Sequence, residues 1–293
     1  MLFKVCIITT VHSPFDTRIY QKEAKTVDKA GYDVTIIAQH HKDEIVDGIR
    51  ILSLKRTRNR LKRIICLTFK AFNMARKMKS DIYHFHDPEF IPFGLLLKLI
   101  GKRVIYDVHE NVQLDILSKD WISFWLRKPV SKVVELIETL GSLTFNTIIA
   151  ATPNIAQKFE KHKTMIVQNF PIAAENVLKK VDSCKKNPPV IAYVGDITII
   201  RGIKQMLQAV TLITNRHRVR LVLAGSFNPP ELETEVKKMA GWEHVEYVGW
   251  QTKKEVARIL RKAYMGIILF HPVPNHLTYI IHKFQKKSFS IPK

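Results

Sequence analysis

The chain has 293 residues, of which 46% are hydrophobic and 25% are charged, and it carries a formal net charge of +21 at pH 7. This composition is typical of a globular protein and excludes a disordered or fibrous chain. Cys6, Cys66 and Cys184 are too few and too widely spaced for a disulfide framework or a zinc-finger site. Because the length exceeds the size at which one hydrophobic core usually stops growing, we expect two domains.

The positive charge favours a polyanionic partner, which could be an anionic lipid, a nucleic acid or a phosphate-rich substrate. The first ten residues contain only a short apolar run that includes Lys4, too short for a signal peptide. The most apolar stretch, at 90–100, is interrupted by Lys98 and is shorter than a membrane span. We therefore expect a cytoplasmic protein, with peripheral attachment to the inner face of the cell membrane as an open alternative.

Segments with strand and helix patterns alternate along the first half of the chain. Strands are predicted at 3–9, 33–38, 49–54, 81–85, 103–108, 147–151 and 164–168. Helices are predicted at 17–30, 59–79, 126–143 and 153–161, with a further helical stretch between the strands at 81–85 and 103–108. This alternation is typical of parallel sheets built from βαβ units.

The pattern stops at 169–189, a polar segment with three prolines. It resumes with strands at 190–194, 219–224, 244–248 and 265–270 and helices at 202–214, 230–239 and 253–262. We therefore place an N-terminal domain at 1–170, a linker at 171–189 and a C-terminal domain at 190–293. Because about 23 residues follow the last predicted strand, whereas such domains run to about 100–150 residues, we expect the second domain to be incomplete.

Histidines and carboxylates follow two neighbouring predicted strands. They are His84, His86, Asp87 and Glu89 after the strand at 81–85, and His109, Glu110 and Asn111 after the strand at 103–108. In open α/β sheets, ligands bind beyond the carboxyl ends of the strands. The His-x-His spacing suits a metal, and although no further ligand is evident nearby, His109 and Glu110 could supply a third and a fourth; since the same residues also form a polar pocket without metal, we expect no metal. Asp87, which precedes a proline, is also typical of a helix N-cap.

The loop after the first strand runs from His12 to Arg18. Ser13 and Pro14 predict a turn, and Asp16 either caps the next helix or serves a site at that helix's N-terminus. The chain contains no G-x-G-x-x-G motif, which argues against a dinucleotide-dependent oxidoreductase.

In the second half, a loop with Gly195 ends at Arg201 and Gly202, where a helix is predicted to begin. Free N–H groups at a helix N-terminus together with an arginine suit a diphosphate, although a solvated arginine is an equally simple interpretation.

No acidic residue lies between Gly48 and Ser80, whereas that segment contains eleven lysines and arginines. The helix predicted at 59–79 is amphipathic, so we expect its apolar face, which includes Leu61, Ile65 and Phe69, to pack on the sheet. Its cations can face an anionic leaflet. Nucleic-acid binding is disfavoured because the chain shows no recognisable motif for it.

A second candidate surface lies around Trp121 and Trp125, which suit either a membrane interface or the core. The helix that follows has apolar residues at the spacing of a core-facing helix, namely Val130, Val133, Val134, Ile137 and Leu140.

Several short motifs, weak when taken singly, occur in a specific order. They are 11–18 (VHSPFDTR), 81–89 (DIYHFHDPE), 106–111 (YDVHEN), Arg201-Gly202, 223–225 (LAG), 247–250 (YVGW) and 269–276 (LFHPVPNH). Together they resemble bacterial family 4 glycosyltransferases of the GT-B fold, over about residues 1–276.

The resemblance implies an α/β protein with two Rossmann-like doubly wound domains that face a cleft, and retaining, metal-independent transfer of a sugar from a nucleotide-sugar. The acceptor is a cell-envelope polysaccharide or a lipid-linked glycan, and no cofactor is expected. His109 matches the family's histidine beside the reacting sugar. The implied donor-binding residues are Gly195, Arg201, Gly202, Lys204, Gly225, His271, Pro272, Asn275 and His276. The implied acceptor-binding residues are His12, Asp16, Arg18, His86, Asp87, Glu89, Glu110 and Asn111.

The sequence departs from the family pattern at two places. Ile199 stands where relatives usually carry a second basic residue. After His276 the family's glutamate-containing helix start is missing, and no acidic residue follows Glu255. We therefore expect a truncated or frameshifted tail, and a catalytically impaired remnant that only binds acceptor or membrane is the alternative function.

Overall fold

The computed structural model describes residues 2–57, 59–119, 122–170 and 188–273, and the chain divides into two compact units, Met1–Asn169 and Phe170–Lys293. Both units are α/β, and each has its own sheet and hydrophobic core. Among the described residues, no helix combines the length and the apolar character needed to cross a membrane.

The first unit is built on an eight-stranded sheet with the order β3-β4-β2-β1-β5-β6-β7-β8. Its strands are β1 (Lys4–Ile8), β2 (Asp33–Gln39), β3 (Glu44–Val46), β4 (Ile49–Leu54), β5 (Ile82–Phe85), β6 (Arg103–Val108), β7 (Thr147–Ala150) and β8 (Thr164–Ile166). All neighbours pair in parallel except β3 and β4. The chain proceeds from β1 to β2 and β4 on one side and then to β5, β6 and β7 on the other, so the order reverses between β1 and β5. A site is expected at the carboxyl ends of these two strands.

Strand β3 was not predicted from the sequence. It forms a hairpin with β4 through Asp47 and Gly48, whose φ angles are 50° and 83°. Two consecutive positive φ angles are typical of the tight turns that join antiparallel strands. Because β3 has only three residues, its alternation is too short to stand out in the sequence.

The helices of the first unit cover both faces of the sheet. They are α1 (Thr17–Ala24 as π-helix, then Lys25–Lys29), α2 (Arg60–Lys62, Arg63–Leu67 as π-helix, then Thr68–Met78), α3 (Ile91–Leu99), α4 (Val112–Leu117), α5 (Phe124–Thr144) and α6 (Pro153–Ala156). On β1, Val5 and Ile7 belong to the core cluster under α1, whereas Cys6 and Ile8 belong to the cluster under α2 and α3. Burial on both faces explains the continuous apolar sequence of this strand.

Two helices bury a face that differs in part from the one predicted. In α2, the predicted Thr68 and Ala75 are buried, but the predicted Leu61, Ile65 and Phe69 are exposed, and Leu67 and Ala71 are buried as well. The π-helical segment 63–67 has a different number of residues per turn, so the 3.6-residue period used for the prediction does not hold there.

Helix α6 is shorter than predicted. It was predicted to reach residue 161 and ends at Ala156.

In α5 the inversion is more pronounced. The helix buries Ser131, Glu138, Gly141 and Ser142, whereas Val130, Val133 and Leu140, which were predicted to lie in the core, are exposed. The buried Glu138 carboxylate accepts hydrogen bonds from Tyr106 Oη at 3.2 Å and Lys158 Nζ at 2.6 Å. These partners make burial of a carboxylate tolerable, and they come from distant parts of the chain.

The second unit has a four-stranded parallel sheet with the order β11-β10-β9-β12. Its strands are β9 (Val190–Val194), β10 (Arg220–Ala224), β11 (Val245–Gly249) and β12 (Met265–Gly266). Its helices are α7 (Ile203–Thr214), α8 (Leu232–Val236) and α9 (Lys253–Lys262). Strand β12 and helix α8 are shorter than the segments predicted at 265–270 and 230–239. Helix α9 matches its prediction, and a capping box between Thr252 and Glu255 fixes its start.

Gly141 lets α5 pack closely against α3. A Cβ atom at this position would lie 2.8 Å from Ile91 Cγ2 and 2.9 Å from the Phe145 ring. We expect Gly141→Ala to lower the free energy of unfolding by about 1–3 kcal/mol through overpacking, despite the helix propensity that alanine adds. Urea denaturation measures the change. The exposed neighbour Leu140→Ala is the control, with an expected change within about 0.5 kcal/mol; a Gly141→Ala protein as stable as this control would contradict the close packing.

Candidate active site

Asp107, at the carboxyl end of β6, is the centre of a buried polar cluster. Arg18 of α1 donates to it through both Nε and Nη2, at 2.9 Å and 2.8 Å, and Arg18 Nη1 donates to the Val167 carbonyl at 2.9 Å. Asp107 is fully buried and Arg18 nearly so. Such a bidentate pair fixes both side chains. Arg18, predicted to bind the acceptor, is therefore engaged with the protein itself.

Three histidines surround the same carboxylate. His109 Nε2 lies 3.3 Å from Asp107 Oδ2, His86 Nδ1 lies 3.5 Å from it, and His84 Nε2 lies 3.8 Å from it. Burial alone would raise the pKa of Asp107, but the polar contacts with these three imidazoles hold that pKa well below its usual value. Asp107 is therefore ionised at neutral pH.

His109, the predicted catalytic residue, is oriented by this cluster. Its Nε2 also lies 3.1 Å from His86 Nδ1, and its side chain keeps 22% of its surface exposed. His86 has no exposed side-chain surface, and burial lowers its pKa to about 4, so its ring is neutral at pH 7. A neutral imidazole accepts on one nitrogen and donates on the other, which ties the orientation of His109 to that of His86.

Asp87 and Glu89 hold the loop that follows β1. Asp87 Oδ2 accepts from the Thr10 N–H at 2.5 Å and from Thr9 Oγ1 at 3.0 Å. Glu89 accepts from Thr10 Oγ1 at 2.6 Å and from Arg63 at 3.2 Å through both of its oxygens. Asp87 occupies the predicted N-cap position, but its side chain makes no capping bond, because it is used by the β1 loop instead.

His12, in the same loop, lies beside the histidine cluster. Its Nε2 is 3.9 Å from Asp87 Oδ1, and its ring centroid is 5.7 Å from that of His109. The structure thus brings together residues that the sequence analysis had selected from three separate stretches, namely His12, Arg18, His86, Asp87, Glu89 and His109.

The other three residues predicted for the first unit have different surroundings. Asp16 caps α1 by accepting from the N–H groups of Arg18 at 2.8 Å and Ile19 at 3.2 Å. Asn111 caps α4 by accepting from the Leu114 N–H at 3.4 Å. Glu110 is exposed. The capping role that the sequence allowed for Asp16 is thus present.

Sequence analysis overlooked Asp107 and Glu23 as members of the cluster. Glu23 Oε1 lies 2.9 Å from Arg18 Nε, and Glu23 Oε2 lies 3.4 Å from His86 Nε2. Burial and the neighbouring Asp107 raise the pKa of Glu23 to about 10. A possible signal was its position five residues after Arg18 on the buried side of α1, but nothing local links it to the strand ends.

In the second unit, two glycine loops contact each other at the carboxyl ends of β9 and β10. A Cβ atom at Gly225, where φ is 155°, would lie 1.9 Å from the Gly195 carbonyl oxygen. The Gly195 N–H donates to the Ala224 carbonyl at 2.9 Å. Only glycine fits at residue 225, since any side chain there would overlap the backbone of the other loop.

Arg201 lies next to these loops, immediately before α7. Its guanidinium is 3.7 Å from the Asp196 carboxylate and remains 37% exposed, so it can still reach a ligand. Gly202 is buried at the N-terminus of α7 with a φ of 69°, and a Cβ atom there would lie 2.7 Å from Leu269 Cδ2. Lys204 is paired with Glu235. Ile199, in the place of the expected second cation, is exposed.

The segment after β12 packs against the start of α7. The His271 N–H donates to the Ile200 carbonyl at 2.8 Å, and the His271 ring lies 3.0 Å from Gln205 Oε1. Pro272 is exposed. The predicted donor-binding residues Asn275 and His276 lie outside the described residues.

Models of known protein families match both halves of the chain. The family model described as Glycosyltransferase Family 4 matches residues 21–167, and the model described as Glycosyl transferases group 1 matches residues 175–271. No curated protein sequence matches the chain.

Solved structures with a similar fold are glycosyltransferases of low sequence identity. WaaG, a glycosyltransferase involved in lipopolysaccharide biosynthesis, aligns with a TM-score of 0.70 and 12% identity over 91% of this chain and 75% of its own. Sucrose-phosphate synthase from Thermosynechococcus elongatus aligns with a TM-score of 0.68 and 15% identity over the same shares. HepE from Anabaena, in complex with UDP and glucose, aligns with a TM-score of 0.58 and 11% identity over 93% and 76%. The family 4 match covers half of the chain, and together with the GT-B fold it establishes that the protein belongs to Glycosyltransferase Family 4.

Proposed function

We propose that this glycosyltransferase moves a sugar from a nucleotide-sugar to a cell-envelope polysaccharide or a lipid-linked acceptor, with retention of configuration. The observation that carries the proposal is His109, a partly exposed imidazole held at the carboxyl end of β6 by Asp107 and His86. WaaG acts in lipopolysaccharide biosynthesis and HepE binds UDP-glucose, which supports this choice of acceptor and donor.

In this proposal, Arg201 and the N-terminus of α7 stabilise the leaving nucleoside diphosphate. Negative charge on that group grows as the bond to the sugar breaks, so positive charge and N–H groups that are already in place lower the barrier. The proposal requires no metal ion at the diphosphate and no cofactor.

The catalytically impaired remnant is the alternative function, favoured by Ile199 in the position of a second cation. Purified protein incubated with UDP- and ADP-sugars distinguishes the two. Sugar transfer or donor hydrolysis at a normal turnover would exclude the remnant, whereas donor binding without turnover would favour it.

We expect His109→Ala to lower transfer or donor hydrolysis by at least about 100-fold, because the imidazole acts beside the reacting sugar. The exposed His162→Ala serves as the matched control and should retain wild-type activity. Circular dichroism and thermal denaturation establish that both variants fold. Unchanged rates in folded His109→Ala protein would remove this residue from the mechanism.

We expect Arg201→Met to lower kcat by about 100-fold, because methionine keeps the length of the side chain but removes its charge from the diphosphate. Arg216→Met, at an exposed position after α7, is the control. The expected loss should persist when Mg²⁺ is added. Full rescue by Mg²⁺ would instead indicate that a metal ion can carry the leaving-group charge.

We further propose that the first unit binds the surface of an anionic membrane through the helix layer α2, α3 and α5. Leu67 of α2 and Ile91 of α3 belong to one core cluster, and the partly buried Ile137 of α5 packs against that cluster, so the three helices cover the same face of the sheet. Their outer surfaces expose large apolar side chains, with Leu61 at 70%, Leu99 at 81% and Trp125 at 82%. Exposed apolar patches of this kind mark interaction sites.

Charge favours a lipid surface as the partner of this layer. Lysines and arginines of α2 accompany the exposed Leu61, Ile65 and Phe69, and Lys128 and Lys132 accompany the exposed apolar residues of α5. Each cation near an anionic leaflet contributes about 1 kcal/mol, and exposed tryptophan suits the headgroup region.

We expect the triple variant Trp125→Ser, Leu136→Ser, Leu140→Ser to bind vesicles of phosphatidylcholine and phosphatidylglycerol at least about tenfold more weakly than wild type in co-sedimentation, since it removes exposed apolar area. The matched control is Leu212→Ser, Trp250→Ser, Ile268→Ser, which changes equally exposed residues of the second unit. Equal vesicle binding by the two variants would contradict the proposed surface. Wild-type protein that is retained on DNA as strongly as on these vesicles, at the same salt concentration, would also contradict it.

A further inference from the structure

Four side chains of the first unit converge on one point, and two of them, His86 and Asp107, also orient His109. Glu23 comes from α1, His84 and His86 from β5 and its carboxyl end, and Asp107 from β6. One ligand atom from each of them lies within 4.8 Å of every other. His84 and His86 are buried, with 7% and 0% of their side-chain surface exposed.

Several of these atoms lack a hydrogen bond. Among the described residues, His84 Nε2, His86 Nε2 and both Glu23 carboxyl oxygens are buried without a hydrogen-bond partner. They lie at ion-pair distances from their neighbours, with 3.4 Å between His86 Nε2 and Glu23 Oε2 and 2.9 Å between Glu23 Oε1 and Arg18 Nε. Buried polar groups are almost always satisfied, so four unsatisfied atoms around one point indicate a ligand between them.

The spacing and the chemistry of the four side chains suit a metal ion. Ligands of a tetrahedral zinc, each about 2.0–2.2 Å from the ion, lie roughly 3.3 Å from one another. Two of the separations here, 3.4 Å between His86 and Glu23 and 3.8 Å between His84 and Asp107, are close to this value, and the other separations, all within 4.8 Å, would contract around an ion. Imidazoles combined with carboxylates favour zinc and its transition-metal neighbours over magnesium or calcium.

Arg18 is compatible with an ion at this point. Its Nε lies 2.9 Å from both Asp107 Oδ2 and Glu23 Oε1, so it holds the two carboxylates side by side. Outer partners that orient metal ligands are a regular part of metal sites.

We propose that Glu23, His84, His86 and Asp107 bind one divalent transition-metal ion, for which Zn²⁺ is the best match. This replaces the sequence-based expectation that no metal binds near His86, because the third and fourth ligands come from Glu23 and Asp107. The ion joins α1 to β5 and β6. With His86 Nε2 on the metal, the proton of that ring is on Nδ1, 3.1 Å from His109 Nε2.

The test is metal analysis of protein purified with a tag that lacks histidine. We expect about one zinc per chain by mass spectrometry, and, after exchange for Co²⁺, the visible absorption of a four-coordinate ion. Zn²⁺ should raise the melting temperature of metal-free wild-type protein, whereas Mg²⁺ should not.

The variants His84→Ala and Glu23→Gln should weaken Zn²⁺ binding by more than the 10–100-fold that loss of an outer partner typically costs. The control His162→Ala removes an exposed imidazole, and its affinity should not change. If the variants do not fold, the Co²⁺ spectrum and the Zn²⁺-dependent melting of wild type decide. The proposal would be overturned if wild-type protein contains no bound metal, shows no four-coordinate Co²⁺ spectrum and does not change its melting temperature on addition of Zn²⁺. A proton shared by Glu23 and Asp107 would then account for their close approach.

Discussion

The bidentate contact between Arg18 and Asp107 is the interaction on which the first unit's site depends. It joins α1 to the centre of the sheet, and through Val167 it also reaches the segment after β8. Both groups are buried, so removing either partner would leave an uncompensated charge in the interior, at a cost of about 3–5 kcal/mol. The histidines contact the same carboxylate, so their positions depend on this contact as well.

Hydrogen bonds to carboxylates with little or no exposure stabilise this unit at three places. Asp107 orients the histidines, Asp87 and Glu89 fix the loop after β1, and Glu138 attaches α5 to β6 through Tyr106. The carboxyl ends of the strands in the second unit have a different structure. There Gly195 and Gly225 let two loops approach each other closely, and the partly exposed Arg201 lies beside them. One unit thus supplies ordered imidazoles, and the other supplies backbone N–H groups and positive charge.

Sequence patterns predicted the strands of the fold better than the packing of its helices. Strands such as β4 and β6 were predicted with their observed ends, because a buried parallel strand is a short apolar run between polar turns. The faces of α2 and α5 were predicted correctly only in part, for two physical reasons. A π-helical segment changes the period of α2, and in α5 a carboxylate is buried because Lys158 and Tyr106, far away in sequence, neutralise and bind it.

The residues of the site were also predictable only in part. His86, Asp87 and His109 could be selected because they lie at or just after the ends of predicted strands. The importance of Glu23 and Asp107 comes from contacts between segments that are distant in sequence, so no local pattern indicates it.

The contact of Gly202 with Leu269 has a consequence for how this protein can diverge. Gly202 has no room for a Cβ atom because Leu269 fills the space, and the neighbouring backbone is tied by the bond from His271 to Ile200. A side chain at position 202 is tolerated only if residue 269 becomes smaller or shifts away, and a bulkier residue at position 269 only if one of the two segments shifts. Residues 199–202 and 267–271 should therefore accept changes as a matched pair, so that exchanging one stretch between homologues demands exchanging the other.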